Sequence, residues 1–334
     1  DTLWASNVYQ GYISVWDIKN PILPIKITQF YTPGKFTHNS WLSDNHQTLF
    51  TADEKTATSI AAFDVSDLTD IQLIDEFKIR PTEQAIPHNI HVYNDFLVLS
   101  HYTEGVVIAD ASDPTNIVKI GQYDTSPNYS GDGFFGCWGV YPYFKSNLII
   151  ASDIEEGLYI LQPNYIRANK WKGLIYDSKT LSPINHANVS ISGSEDIFTT
   201  NFDGNYKIGT VETGSILLKV TADHYEENVL TFEVNSDSNI VQDIYLNPVV
   251  TKVQNHEKLI HILHVNQSSI TFQLDKNYSS LNYYLYNSQG QLLDNKFLQQ
   301  SNYSTIYWDY LPSGVYFLQV QTPENFLIKK VYKN

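Results

Sequence analysis

Three short segments constrain the first half of this 334-residue chain more than anything else in it. Each runs from an apolar strand into Asp and then into a turn rich in Ser, Asn, Asp and Pro. They read Val15-Trp16-Asp17-Ile18-Lys19-Asn20-Pro21, Ala62-Phe63-Asp64-Val65-Ser66-Asp67 and Ile108-Ala109-Asp110-Ala111-Ser112-Asp113-Pro114. The leading aspartates Asp17, Asp64 and Asp110 are 47 and 46 residues apart. A period of that length, with several short strands per unit, is how a propeller blade looks in sequence. The pattern predicts an all-β fold.

One unit begins at His38 and a second at His88, each with four strand-like runs; a third begins near Cys137 and has three. Residues 1–32 supply the last three strands of another unit, so three, four, four and three strands are expected. Closed propellers use 4–8 blades, and further blades are therefore expected upstream of Asp1. Asp1 itself reads as a processed or cut end. From Gly173 the pattern changes to short alternating strands with Gly and Asn/Asp turns, which predicts a small β-sandwich to about residue 248. Asp203-Gly204 falls where a tight hairpin turn needs positive φ. After a link around residues 249–256, a third strand-rich unit runs to the end, closing on an edge strand over Leu327–Asn334.

Composition narrows the partners. Residues 1–165 hold 8 Lys/Arg against 20 Asp/Glu and the remainder 13 against 16, for a net charge of −15. A phosphate-binding surface needs clustered cations, so nucleic acid is excluded as a partner. No apolar run reaches the roughly 20 residues of a membrane helix. The single cysteine, Cys137, rules out an internal disulfide and any multi-thiolate metal site. There is no G-x-S-x-G elbow, no H-E-x-x-H and no phosphate-cradling loop.

All three parts resemble known families. Residues 1–162 resemble the LVIVD-repeat propeller of choice-of-anchor B proteins through Ile108–Pro114, His88-Asn89-Ile90, Trp138-Gly139-Val140-Tyr141-Pro142 and Ser152-Asp153-Ile154-Glu155-Glu156-Gly157-Leu158. Residues 172–248 are similar to the carboxypeptidase regulatory-like domain, a transthyretin-type sandwich with no active site; His224-Tyr225 replaces that pattern's usual Gly-Tyr. Residues 257–334 resemble the type IX secretion C-terminal sorting domain through Leu311-Pro312-Ser313-Gly314-Val315-Tyr316-Phe317 and Lys329-Lys330-Val331-Tyr332-Lys333. The resemblance implies a Bacteroidota-type protein exported through the periplasm by the type IX machinery, then released or attached at the outer surface.

In a four-stranded antiparallel blade, the start of the innermost strand and the end of the second lie at the same end. His38 and His88 open innermost strands, while Asp53-Glu54, His101 and Asp153 follow second strands, as does Asn7. These groups are expected on one face around the channel, together with Trp138. Such a ring suits a polar ligand or a divalent cation held by His38, His88 and Asp53. It suits equally well a set of hydrogen bonds that fix neighbouring blades, or acid–base work. No other cofactor is indicated. Asp17, Asp64 and Asp110 read as caps of local backbone N–H groups. Tyr129, Phe134, Phe135, Trp138, Tyr141 and Tyr143 crowd one long segment, either packing blades or presenting rings to a glycan or protein ligand. The leading reading is a non-catalytic surface-binding or adhesion protein. A metal-assisted hydrolase on the channel face and a purely structural surface component are the alternatives.

Overall fold

A computed structural model describes residues 1–80, 84–194, 197–249, 260–323 and 326–333. Among them, one 3₁₀ turn at Val8–Gln10 is the sole helical piece, and no helix is long and apolar enough to cross a membrane. Residues 2–161 form four antiparallel sheets in chain order, of three, four, four and three strands. The first holds β1 (Thr2–Asn7), β2 (Tyr12–Asp17) and β3 (Ile25–Tyr31). The second holds β4 (Thr37–Leu42), β5 (Thr48–Asp53), β6 (Ile60–Asp64) and β7 (Gln72–Phe77). The third holds β8 (Asn89–Tyr93), β9 (Phe96–Ser100), β10 (Val106–Asp110) and β11 (Val118–Tyr123). The fourth holds β12 (Cys137–Tyr141), β13 (Ile149–Asp153) and β14 (Gly157–Leu161).

Each sheet is a meander, and the first strands β1, β4, β8 and β12 lie side by side in that order. The array is an open half-barrel. The strand period of two explains how it packs. In β9, Leu97 and Leu99 join Phe50, Ile60 and Phe77 of the second sheet, while the intervening Val98 joins Val140 and Ile149 of the fourth. In β5, Leu49 meets Ile13 and Val15 of the first sheet, while Phe50 faces the third. Each such side chain contributes about 1.5–3 kcal/mol by leaving water. Inner sheets are therefore apolar on both faces. The end sheets are not covered outside: Ile25 of β3 and Leu158 and Ile160 of β14 are about two-thirds exposed.

The repeated aspartates each follow a β-bulge, at Val15/Trp16, Ala62/Phe63 and Ile108/Ala109. Their carboxylates accept the backbone N–H two residues on, Lys19, Ser66 and Ser112 respectively. Bulge and cap together turn the chain in the first three sheets.

The second unit is a two-sheet sandwich. One sheet centres on β15 (Asn169–Asp177), paired with β18 (Asn205–Thr210) and, in parallel, with β21 (Asn239–Val241) and β22 (Ile244–Leu246). The other runs β17 (Ile197–Thr199), β16 (Asn188–Ile191), β19 (Gly214–Thr221), β20 (Asn228–Val234). Trp171, Leu218 and Leu246 fill the space between them. Gly204 has φ +74, and a Cβ there would lie 2.7 Å from the Ile175 carbonyl oxygen. The turn is not a hairpin, however. Its flanking strands β17 and β18 belong to different sheets, so it is a corner between layers. His224, standing where the family pattern has Gly, has φ +69.

The third unit is built on the 19-residue β24 (Ser269–Asn287), flanked by β23 (Ile260–Val265), β25 (Leu292–Tyr307) and β26 (Gly314–Gln321). The edge strand β27 (Phe326–Lys333) completes the sheet. Lys333 turns back to donate to the carbonyls of Trp308 (2.6 Å) and Leu311 (2.5 Å). Apart from Val249, the link expected around residues 249–256 lies outside the described residues.

Asp110 does more than cap its turn. It is fully buried and accepts from Arg167 (2.8 Å), from the Ala168 amide (2.9 Å) and faces Lys170 at 3.4 Å, fastening the half-barrel to the sandwich. Burial opposes its charge, but the Ser112 amide, the Lys170 ammonium and the Ala168 amide together hold its pKa below the ordinary value. Stability from this group is present above the unfolded carboxylate range near pH 4 and lost as pH falls through its lower folded pKa. Asp110→Ala leaves buried Lys170 uncompensated and is expected to cost about 3–5 kcal/mol. Urea unfolding at pH 7 measures this; a loss under 1 kcal/mol would show the node to be dispensable.

Candidate functional site

Residues 38, 88 and 138 are spaced at 50 and open the three inner strands β4, β8 and β12. Pairing in β4–β5 jumps from Thr37↔Asp53 to Asn39↔Ala52, leaving His38 as the extra residue of a bulge. Trp138 is skipped in the same way between Cys137↔Asp153 and Gly139↔Ser152. The His88 amide donates to the carbonyl of Ser100, which is already opposite Asn89. Bulges re-aim side chains, and here His38 reaches the third sheet and His88 the fourth, while the Trp138 indole lies back against the His88 ring at 5.3 Å. His38 Nδ1 donates to the His88 carbonyl at 3.3 Å, and His88 Nδ1 donates to the Trp138 carbonyl in a short hydrogen bond. The two imidazoles stack, with centroids 4.4 Å apart and planes 26° from parallel.

With Nδ1 so engaged, both Nε2 atoms point at one carboxylate, Glu54. His38 Nε2 lies 3.7 Å from Glu54 Oε2 and His88 Nε2 lies 3.5 Å from Oε1. Tyr102 donates its hydroxyl to Oε1 at 2.6 Å. Burial, reinforced by this hydrogen bond and by the Glu54 charge, raises the Tyr102 pKa, so the phenol keeps its proton. Burial also lowers the His88 pKa, against the pull of the Trp138 carbonyl. His38, Glu54 and His88 bring their ligand atoms within 4.8 Å of one another. Among the described residues, they are the group of this face that could hold a metal ion.

The other candidate residues are engaged elsewhere. Asp53 is buried and accepts from the Gly34 amide (2.7 Å), the Phe36 amide (2.9 Å) and the Thr32 hydroxyl (2.6 Å), pinning the loop before β4. Successive strand residues point to opposite sides, so Asp53 enters the loop and its neighbour Glu54 meets the histidines. Asp153 accepts the amides of Glu155 and Glu156, an Asx turn. Asn7 donates to Ser14 Oγ within its own sheet. His101 is wholly buried, and desolvation, ahead of the Arg80 charge, lowers its pKa to about 3. Cys137 is buried too, its thiol pushed up to about 12 chiefly by desolvation.

Trp138 takes part through its backbone and its side chain. Its carbonyl accepts from His88, Asn89 and Ser100, while the indole is 54% exposed. Phe134 is exposed and packs edge-on against Tyr102, and Tyr129 stacks on Phe135 at 4.5 Å. Tyr143 instead packs against Trp41 and His91 and donates to the Val92 carbonyl, a contact between sheets. The sequence singled out neither Tyr102 nor a cleft of about 400 Å³ between the half-barrel and the sandwich. That cleft is lined by Phe77, Val118, Phe198, Ile208, Lys119 and Lys207. It shares no residue with the histidine group.

Residues 171–260 match the family model of the CarboxypepD_reg-like domain, and residues 266–334 match the secretion system C-terminal sorting domain. The chain therefore carries a carboxypeptidase regulatory-like sandwich and an export tail, and it is a protein secreted or attached at the cell surface. Neither match reaches residues 1–170. No curated protein matches the chain. Among solved structures, it is similar to a periplasmic gluconolactonase of Pseudomonas aeruginosa, at 11% identity and TM-score 0.35 over 92% of this chain and 85% of that one. It is similar to a Lactobacillus plantarum protein at 10% identity and TM-score 0.35, with the same coverage, 92% and 85%. It is similar to the minor pilin of Streptococcus agalactiae at 14% identity and TM-score 0.21, over 35% and 66% of the two chains. Likenesses this shallow carry no argument about activity.

Two expectations follow from the buried groups. Asp53→Ala strands the two part-buried amides of Gly34 and Phe36, each costing roughly 1–2 kcal/mol, the lower part of the range for a donor left without a partner, while the Thr32 hydroxyl keeps Thr37. A total loss of about 2–4 kcal/mol is expected in urea unfolding, and a neutral result would contradict the pinning role. His101 is neutral when folded but takes up a proton near pH 6.5 when unfolded. Its contribution to stability therefore falls as pH drops from about 6.5 toward 3, by roughly 1 kcal/mol per pH unit. Unfolding free energies at pH 6 and pH 5 should show that slope, and His101→Leu should flatten it.

Proposed function

We propose that the chain is a non-catalytic surface-binding protein whose half-barrel is a run of LVIVD-type propeller blades. The period of 46 and 47 residues, the meander sheets and the side-by-side first strands support the propeller reading. On this reading the sandwich spaces the binding body from the export tail, and the type IX machinery is the partner of the tail.

One observation carries the binding role. Trp138, 5.3 Å from the His88 ring, and Phe134, 5.3 Å from the Tyr102 ring, expose flat apolar rings beside the polar group His38, Glu54 and Tyr102, and the same segment exposes the stacked pair Tyr129–Phe135. Aromatic faces next to fixed hydrogen-bonding groups match a glycan, whose rings present C–H faces flanked by hydroxyls. The long segment that carries these rings is a loop on a rigid sheet scaffold, the usual place for recognition.

The double variant Trp138→Ala/Phe134→Ala tests this reading. Native chain is expected to be retained on at least one polysaccharide of a surface-glycan panel, with the variant at least tenfold weaker at unchanged melting temperature. Retention that ignores the substitutions, or no retention of native chain on any polysaccharide, would overturn the glycan reading.

A further inference from the structure

His38, His88 and Glu54 present an electrostatic problem as they stand. A backbone carbonyl only accepts, so the contacts of His38 Nδ1 with the His88 carbonyl and of His88 Nδ1 with the Trp138 carbonyl place a proton on each Nδ1. The Asn89 side-chain nitrogen, 2.9 Å from His88 Nδ1, lies 3.3 Å from that same Trp138 carbonyl and gives its hydrogen there. In a neutral ring the remaining nitrogen, Nε2, then carries a bare lone pair. Two such lone pairs point at Glu54 oxygens, at 3.7 and 3.5 Å. Acceptors therefore face acceptors. Charging both rings does not resolve this, because it stacks two imidazolium ions with centroids 4.4 Å apart. His88, 3% exposed, would hold one of those charges almost out of water.

We propose that His38 Nε2, His88 Nε2 and a Glu54 carboxylate oxygen bind one divalent transition-metal ion of the zinc class. Metal–nitrogen and metal–oxygen distances of about 2.0–2.2 Å put tetrahedral neighbours about 3.3–3.5 Å apart. His88 Nε2 stands 3.5 Å from Oε1 and His38 Nε2 3.7 Å from Oε2, each near that edge, and one ligand atom from each of the three residues lies within 4.8 Å of the other two. The outer partners match as well. Metal-bound imidazoles typically donate their other N–H to a carbonyl, and ligating carboxylates are themselves hydrogen-bonded. Here both Nδ1 atoms donate to carbonyls and Tyr102 holds Glu54. Two nitrogen donors disfavour calcium and magnesium, which take oxygen. His38 is 28% exposed in its side chain, which leaves the ion an entry path and a fourth position for water or a ligand oxygen.

The assignment goes beyond the glycan reading and does not rest on it. Its test uses the purified full chain, stripped with chelator and titrated with Co²⁺ and then Zn²⁺. One ion per chain is expected, with the visible bands of tetrahedral cobalt and their loss as zinc displaces it. Glu54→Gln and His38→Asn, whose side-chain amide can still donate to the His88 carbonyl where Nδ1 does, should each weaken uptake at least tenfold at unchanged melting temperature. His88→Ala is not used, because it also removes the hydrogen bond to Trp138. X-ray absorption of the zinc-loaded native chain needs no variant and should find two imidazole nitrogens on the metal. No uptake at micromolar metal, a first shell without two imidazoles, or uptake indifferent to both substitutions would overturn the site. The last result would trace binding to the chain's other histidines. Loss of glycan retention with metal uptake intact would leave this assignment standing.

Discussion

The imidazole-to-carbonyl hydrogen bond between neighbouring first strands is the contact on which the arrangement of the half-barrel face depends. His38 reaches the backbone at His88, and His88 reaches the backbone at Trp138. Contacts spanning 51 residues, one more than the 50 of the histidine pairs, join the same sheets where Asn39 accepts the Ile90 amide and where Tyr143 donates to the Val92 carbonyl. Apolar packing between sheets is strong but non-directional, so it permits small slides. Hydrogen bonds to a fixed carbonyl do not. They set the register of one sheet on the next and fix which imidazole nitrogen is bare.

Asp53, Asp110 and Asp153 all end strands, yet they perform different tasks. Asp53 organises the loop before β4, Asp153 caps its own turn, and Asp110 fastens one domain-like body to another. In each case backbone amides offset part of the cost of burying a carboxylate, and only Asp110 adds cations from beyond its own sheet. A second bridge, Lys207 to Asp75, crosses the same junction. Burial lowers the Lys207 pKa to about 8. The junction is thus polar and partly buried, with the 400 Å³ cleft running beside it.

Much of this was legible in residues 1–165. Short apolar runs such as Phe96–Ser100, the Asp-led turns and the 46–47 spacing give the strands and their grouping into three, four, four and three. The convergence of His38 and His88 was legible too, since antiparallel order puts first-strand starts and second-strand ends together. Choosing between Asp53 and Glu54 was not. Adjacent residues at a strand end face opposite ways, and which faces the histidines is set by the bulge at His38, which no residue type announces. Tyr102 was hidden for a similar reason, being next to His101 but on the other side of the chain. In the sandwich, Gly204 announced a positive φ, whereas the switch of sheets at that turn depends on pairing partners far along the chain.

Sequence by itself determined the all-β class, the meander units, the local caps and the two carboxy-terminal domains, because these follow from short-range periodicity, turn chemistry and motif order. Tertiary structure alone decided which carboxylate meets the imidazoles, which nitrogens are left bare, and that Asp110 is an anchor as well as a cap. Those outcomes depend on distances between residues from 16 to 60 positions apart, which local sequence does not link. Such distances are set by how sheets stack, and stacking leaves no local mark on composition.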